Sequence, residues 1–335
     1  MTIADSIFTP DKLKKKLNVA VIGLGPVGQI LAVFLSEIGC HVSVLDKDPE
    51  KIAMIRKDGI RLEGKYHKTA KFKSVITSAS GLANEKPDVI ILAVKIYHTA
   101  SVIQDLIAAG ITDSFIICAQ NGIDVEEKII SAFGEDHSFR MVVNFAGNLT
   151  APGITHVTFF NAPNYLASVD DSQEKFSEQF AKLLTTSGLD AQAVTSFMLV
   201  NKIWEKTILN AALSALCGIS GLTMKEAMAK PGLVNIVEQL IEESLVVAKA
   251  EEIFFGENFS KSCLRYLRNA GNHFPSLAVD MMHNRPTEID FFNGQFVKYG
   301  LKHYVRTPLH FVFTNLVKAH EEERKFMRAR LRQES

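Results

Sequence analysis

The chain has 335 residues, 47% hydrophobic and 22% charged, enough for two domains with substantial cores. Its 37 basic residues balance 37 acidic ones, so no charge excess draws it to nucleic acid or an anionic membrane. Ten histidines include no HExxH and no short-spaced ligand pair, which leaves a metal site without support.

Residues 1–16, with the cluster Lys12 to Lys16, carry no apolar run. They read as a solvated leading segment, helical or laid over the surface, and not as a signal peptide. Asn18 to Ile22 is a short β-branched run suited to a buried strand. A glycine turn follows, then a helix from Pro26 to Ile38 that Gly39 ends. His41 to Leu45 is a second strand, and Pro49 opens another helix. Asp88 to Val94 and Phe115 to Ala119 are further buried strands, with a helix from Tyr97 to Ala109 between them. The alternation predicts parallel strands, right-handed crossovers and helices on both faces. Arg140 to Phe145, Ile154 to Phe160 and Tyr165 to Val169 leave no room for helices between them. They are expected to extend the same sheet antiparallel. A helix from Gln173 to Ser187 and a strand from Ala191 to Thr195 then close a domain over 17–196.

Beyond Ser196 the pattern becomes helical: Leu199 to Cys217, Leu233 to Ile253, Ser276 to Met282, Glu288 to Tyr299 and Pro308 to Leu331. A second, all-helical domain over 197–330 follows. The charged residues after Lys318 read as a solvated helix end. The uncharged helical run Thr207 to Met224 is interrupted by Asn210, Ser214, Gly218 and Gly221, too polar and broken to span a bilayer. Cys40, Cys118, Cys217 and Cys263 form no CxxC pair and lie among apolar residues. They read as reduced thiols of a cytoplasmic protein. The fold class expected is α/β, a Rossmann-type doubly wound sheet followed by an all-helical C-terminal domain.

The turn Gly23-Leu24-Gly25-Pro26-Val27-Gly28 is GxGxxG, and it follows a strand and opens a helix. Gly23 permits the tight turn, Gly25 lets the backbone approach a pyrophosphate, and Gly28 lets helix and strand pack closely. Amides at the helix start favour the phosphates. Asp46 ends the second strand and can accept hydrogen bonds from ribose hydroxyls, which points to NADH. Lys47 and Arg56 nearby can soften its repulsion of a 2′-phosphate, so NADPH stays open.

Lys206, Asn210 and Ser214 fall at i, i+4 and i+8 on one helix face. No charged residue occurs from Thr207 to Met224, which predicts a helix packed all round. Its buried amide and hydroxyl then need partners, since an unpaired one costs about 1–3 kcal/mol. Lys206 at the mouth of this stripe is a candidate proton donor or a surface lysine. Further on, Ser276 is placed to cap a helix with Asp280 one turn later. Thr287 is placed to cap the next, with Glu288 at its start and Asp290 in its first turn.

Taken together these residues resemble the ketopantoate reductase family (2-dehydropantoate 2-reductase). The resemblance runs from Leu17 to Lys318 in ordered pieces: the glycine turn, Val94-Lys95, Gln120-Asn121-Gly122, Trp204-Glu205-Lys206 with Asn210, and Ser276 with Thr287-Glu288-Ile289-Asp290 and Asn293-Gly294. Thr307-Pro308 matches the family's proline at the start of the closing helix. The resemblance implies a 6-phosphogluconate dehydrogenase-like architecture and NAD(P)H-dependent reduction of 2-dehydropantoate to (R)-pantoate, towards pantothenate and coenzyme A. It implies Lys206 as general acid, Glu288 as its orienting partner on the substrate hydroxyl, and Asn210 and Ser276 as substrate ligands. It also implies Asn121 beside nicotinamide and substrate, and Lys95 at the cofactor edge. Hydride addition to a ketone builds negative charge on oxygen, and an ammonium with a transferable proton answers it.

Two positions depart from the family pattern. Ser214 stands where a second asparagine is usual, which bears on the substrate pocket. Asp46 stands in place of a basic residue, which bears on NADPH against NADH. Besides ketopantoate reduction, a related reductase on another 2-oxo acid and a non-catalytic NAD(P)H-sensing protein stay open. The helical domain leaves room for a homodimer seam.

Overall fold

The computed structural model describes residues 17–333, the side chains of 324–333 excepted. The expectation for residues 1–16 lies outside the described residues. The chain forms two compact units that divide between Lys202 and Ile203.

In chain order the first unit comprises β1 (Asn18–Ile22), α1 (Pro26–Glu37), β2 (His41–Leu45), α2 (Pro49–Asp58), β3 (Ile60–Gly64), β4 (Lys68–Ala70), β5 (Ser74–Ile76), α3 (Ala79–Ala83), β6 (Val89–Leu92), α4 (Thr99–Ala108), β7 (Phe115–Cys118), α5 (Glu127–Phe133), β8 (Ser138–Val142), β9 (Phe145–Ala151), β10 (Ile154–Phe160), β11 (Asn164–Ser168), α6 (Glu174–Ser187) and β12 (Ala191–Ala193). Eight strands make the main sheet in the order β12-β11-β8-β7-β6-β1-β2-β5. Every pairing in it is parallel except β8 with β11. β1 lies between β2 and β6, Val19 opposite Val42 on one side and Val89 on the other. There the strand order reverses direction, the place where doubly wound sheets open a crevice at their carboxyl ends.

The expected antiparallel extension is corrected. Only β8 and β11 continue the main sheet, whereas β9 and β10 join β3 and β4 in a separate sheet ordered β4-β3-β10-β9. The physical reason lies in α1. Its residues Gly28 to Leu35 are all buried, because the helix packs on β1 and β2 with one side and on strands of the second sheet with the other. A helix that is apolar all round needs cover on both sides, and β9–β10 supply the second cover. Phe34 meets Tyr66 edge-on at 5.1 Å. The buried Gln29 side chain accepts a hydrogen bond from Thr155 of β10 at 2.8 Å and donates to the Leu24 carbonyl at 3.1 Å.

α7 (Ser196–Ser220) begins three residues before its expected start and runs into the second unit. That unit continues with α8 (Met224–Met228), α9 (Pro231–Ala250), α10 (Phe259–Arg268), α11 (Ser276–Met282), α12 (Asn293–Lys302) and α13 (Pro308–Gln333). α9 packs against α10, α12 and α13. A polar knot ties these helices within the apolar core. Asn293 Nδ2 donates to the Ala211 carbonyl (3.0 Å) and to His310 Nδ1 (3.2 Å), while His310 Nε2 reaches Ser244 Oγ (2.9 Å) and the Leu240 carbonyl (3.1 Å). With Nδ1 accepting, Nε2 carries the proton and the ring is neutral. Burial pushes the His310 pKa down to about 3. The single helix expected over Glu288 to Tyr299 is broken: a 3-10 turn covers Ile289–Phe291, and Phe292 (φ −111, ψ −95) interrupts before α12 starts. Among the described residues no helix is long and apolar enough to cross a membrane.

Candidate active site

In the first unit the expected cofactor residues gather at the carboxyl ends of adjacent parallel strands. Gly23–Gly28 follow β1, Asp46 follows β2, Lys95 lies just beyond β6 and Asn121 just beyond β7. Gly23 has φ +95, and a Cβ on it would lie 2.6 Å from the Val94 amide nitrogen. A Cβ on Gly28 would lie 1.9 Å from the Gly23 carbonyl oxygen. Both positions are closed to side chains by the protein itself. Gly25 differs: a Cβ there would meet nothing within 4 Å. No packing in the chain demands glycine at this point, at the start of a helix with no side-chain cap. The residues fit a bound pyrophosphate, which needs open approach to backbone amides at a helix start.

Asp46 is tied into the turn. Its Oδ2 accepts from the Leu24 amide (2.8 Å) and from Lys51 Nζ (2.8 Å), and its Oδ1 accepts from the Asp48 amide (3.0 Å). Burial works upward on its pKa. The Lys51 hydrogen bond and charge, with the Asp48 and Leu24 amides, outweigh that and hold the carboxyl below its usual range. The expected neighbours are corrected. Arg56 donates to the Val75 carbonyl at 2.7 Å and Lys47 reaches the His98 ring at 3.1 Å, so Lys51 is the cation that compensates Asp46. Lys51 sits in the first turn of α2, close enough to reach back, a spacing the strand-end reading passed over.

The Asn121 loop is held by groups on both flanks. Gln120 donates to the Val94 carbonyl (2.7 Å) and to Thr99 Oγ1 (2.8 Å), joining the ends of β6 and β7. Arg140, 2% exposed on β8, donates to the carbonyls of Gln120 and Gly122. Sequence reasoning treated Arg140 as an ordinary strand residue. The signal was a guanidinium inside the apolar run Phe139-Arg140-Met141-Val142.

In the second unit Lys206 and Asn210 are half-buried on α7, while Ser214 is buried, at 3% exposure, where the helix enters the core. The stripe therefore sinks along its length, and Asn210 is less enclosed than expected. Glu288 is 7% exposed, just before the 3-10 turn. Neither Lys206 nor Glu288 is free of partners. The backbone around Glu288 is anchored: the Thr287 amide donates to Glu321 (2.7 Å), Lys318 pairs with Asp290 (2.5 Å), and Arg285 pairs with the buried Asp280 (2.8 Å). Ser276 is exposed and is the first residue of α11, with Pro275 at the cap position, so it does not cap the helix as expected. Thr287 Oγ1 does accept from the Ile289 amide at 3.3 Å. Among the described residues no cluster of His, Cys, Asp and Glu is suited to a metal ion. The four thiols are unpaired, and burial pushes Cys217 and Cys263 up to about 12.

Two family models match the chain in order. "Ketopantoate reductase PanE/ApbA" covers residues 19–171 and "Ketopantoate reductase PanE/ApbA C terminal" covers 199–321. The chain belongs to the ketopantoate reductase family. It is accordingly an NAD(P)-dependent oxidoreductase. The 2-dehydropantoate 2-reductase of Streptococcus pyogenes serotype M3 is 28% identical over 305 residues, 90% of this chain and 97% of that protein. Among solved structures, D-mandelate dehydrogenase with NADH and anilino(oxo)acetate superposes at a TM-score of 0.84 with 24% identity, covering 92% of this chain and 99% of its own. A dimeric ketopantoate reductase from Staphylococcus aureus has a TM-score of 0.74 and 22% identity, covering 92% and 99%. At these identities the structural likenesses establish the fold.

Proposed function

We propose that this reductase converts a small 2-oxo acid to its 2-hydroxy acid, with 2-dehydropantoate as substrate and (R)-pantoate as product. Within the proposal, the first unit holds the dinucleotide and the helical unit supplies the chemistry. The observation that carries the reading is a half-buried lysine at the head of an uncharged stretch of helix, in the same unit as a carboxylate at 7% exposure. A bound dihydronicotinamide supplies the hydride. Lys206 places an ammonium at the substrate carbonyl oxygen, where it stabilises developing negative charge and releases a proton. Glu288 orients that ammonium and accepts from the substrate hydroxyl, the roles the family resemblance implies. Asn210 and Ser276 orient the substrate, Ser214 lines the deeper end of the stripe, and Asn121 and Lys95 border the nicotinamide.

The cofactor preference follows from Asp46. A carboxylate already paired with Lys51 retains lone pairs for ribose hydroxyls but presents little net charge to a 2′-phosphate. We therefore read discrimination between NADH and NADPH as modest. The unpaired thiols fit a reducing, cytoplasmic setting. The homodimer seam we assign to the helical unit draws support from its exposed apolar side chains, Leu301 at 75% on α12, Tyr304 at 97% just beyond it and Phe311 at 56% on α13. Light scattering of the purified protein tests that assignment.

The deciding experiment is oxidation of NADPH and NADH at 340 nm with ketopantoate and a panel of other 2-oxo acids. Lys206→Ala is expected to lower kcat about 10²- to 10⁴-fold while cofactor affinity is kept. Turnover at the parent rate would refute Lys206 as the acid. A second reading, another 2-oxo acid as substrate, draws on the buried Ser214 and on the oxo acid bound by the mandelate dehydrogenase. A panel member with higher kcat/KM than ketopantoate would establish it.

A further inference from the structure

Arg140 occupies a position where a strand of this kind would ordinarily carry an apolar residue. It pairs in register with Cys118 across β7 and β8, and both of those strands are buried throughout. An ionised group taken out of water costs several kcal/mol unless partners replace its hydration. Here the partners come from one short segment. Nη1 donates to the Gln120 carbonyl and lies 3.3 Å from that of Cys118. Nη2 donates to the Gly122 carbonyl at 2.8 Å, and Nε stands 3.3 Å from the Glu126 carboxylate. The planar fork therefore grips the Gln120 and Gly122 carbonyls as the chain leaves the sheet, beyond Cys118, the last residue of β7 in register with its neighbours. Asn121 lies between two of the gripped carbonyls, and Gly122 turns away at φ +108.

We propose that Arg140 is a positioning residue for the reaction, fixing the backbone on both sides of Asn121 so that its amide is held at one place beside nicotinamide and substrate. This rests on the role given to Asn121 above. Lysine at 140 keeps the charge but has no fork to span two carbonyls, and a displacement of the order of an ångström at a reacting centre costs up to about a hundredfold in rate.

The test compares Arg140→Lys, Asn121→Ala and the double variant in the full chain, reading kcat, KM, NAD(P)H affinity and amide hydrogen exchange at residues 119–122. Arg140→Lys is expected to lower kcat about tenfold or more, with cofactor affinity unchanged and exchange at 119–122 accelerated. The double variant should fall no further than Asn121→Ala alone. Losses that multiply in the double variant would overturn the proposal, as would parental kcat or parental exchange in Arg140→Lys. If Arg140→Lys does not fold, Glu126→Gln removes one anchor at the partly exposed edge, and is expected to show the same pattern in smaller measure. Its parental kcat and exchange would equally overturn the clamp. A parent protein that reduces no 2-oxo acid refutes the proposed function instead. In that case unchanged exchange at 119–122 in the variants still overturns the clamp, and faster exchange upholds its structural half.

Discussion

Replacing Gly25 by alanine separates folding from cofactor binding, because the two respond with opposite sign. Gly25 has φ −72 and ψ −178, a backbone conformation open to alanine, and its Cβ would meet nothing within 4 Å. The folded state therefore suffers no clash. Removing a glycine's freedom from the unfolded chain stabilises by about 0.4–1 kcal/mol, which in a unit of this size corresponds to roughly 1–4 °C in Tm. The same methyl group stands where the pyrophosphate must approach. Loss of one charge-assisted hydrogen bond costs about 1.5–3 kcal/mol, or roughly 10- to 100-fold in affinity. Thermal melts without cofactor and fluorescence titrations with NADH and NADPH give both quantities. Gly28→Ala is the contrast: its Cβ would fall 1.9 Å from the Gly23 oxygen, so the melt itself should drop. Gly25→Ala with parental affinity for both nucleotides would refute the phosphate cradle, and a lowered melt would refute the open space.

Asp46 carries a pH signature. Its folded pKa is depressed, so its stabilisation is complete above the ordinary carboxylate value of about 4 and is lost as pH falls through the depressed one. Asp46→Asn should lower Tm at pH 7 and make little difference near pH 2; equal losses at both would contradict the Lys51 pairing. His310 acts over a different window. Its folded pKa is about 3 against 6.5 for the free side chain, so stability falls as pH drops from about 6.5 towards 3, where the unfolded chain takes up the proton first. His310→Gln should flatten that slope in urea titrations at pH 7 and pH 5, and an unchanged slope would place the acid sensitivity elsewhere.

Local pattern made much of the first unit legible. The strand–glycine turn–helix frame and the buried runs at 89–92 and 115–118 depend on contacts near in sequence, and so do the caps and the parallel rhythm. The second sheet was not legible. β3 and β4 are short, the sequence pattern places no strand over 146–151, and it puts 154–160 in the main sheet; what assigned β9 and β10 was the need to cover the outer side of α1. The candidate site divides in the same way. Gly23, Gly25 and Gly28 are readable because their chemistry is steric and local. Lys51 against Asp46, and Arg140 against the 120 and 122 carbonyls, pair groups on different elements.

The amino-acid order by itself determined which segments are strands or helices wherever periodicity and punctuation agree, and it set the glycine turn, the family and the candidate acid. Only the tertiary structure decided which sheet receives the 145–160 hairpin, which cation compensates Asp46, and what holds the Asn121 loop. Hydrophobic periodicity and backbone sterics act over a few residues and leave a mark in the sequence. The partners of the buried Arg140 are chosen by elements meeting in space, and their distance along the chain carries no trace of the choice.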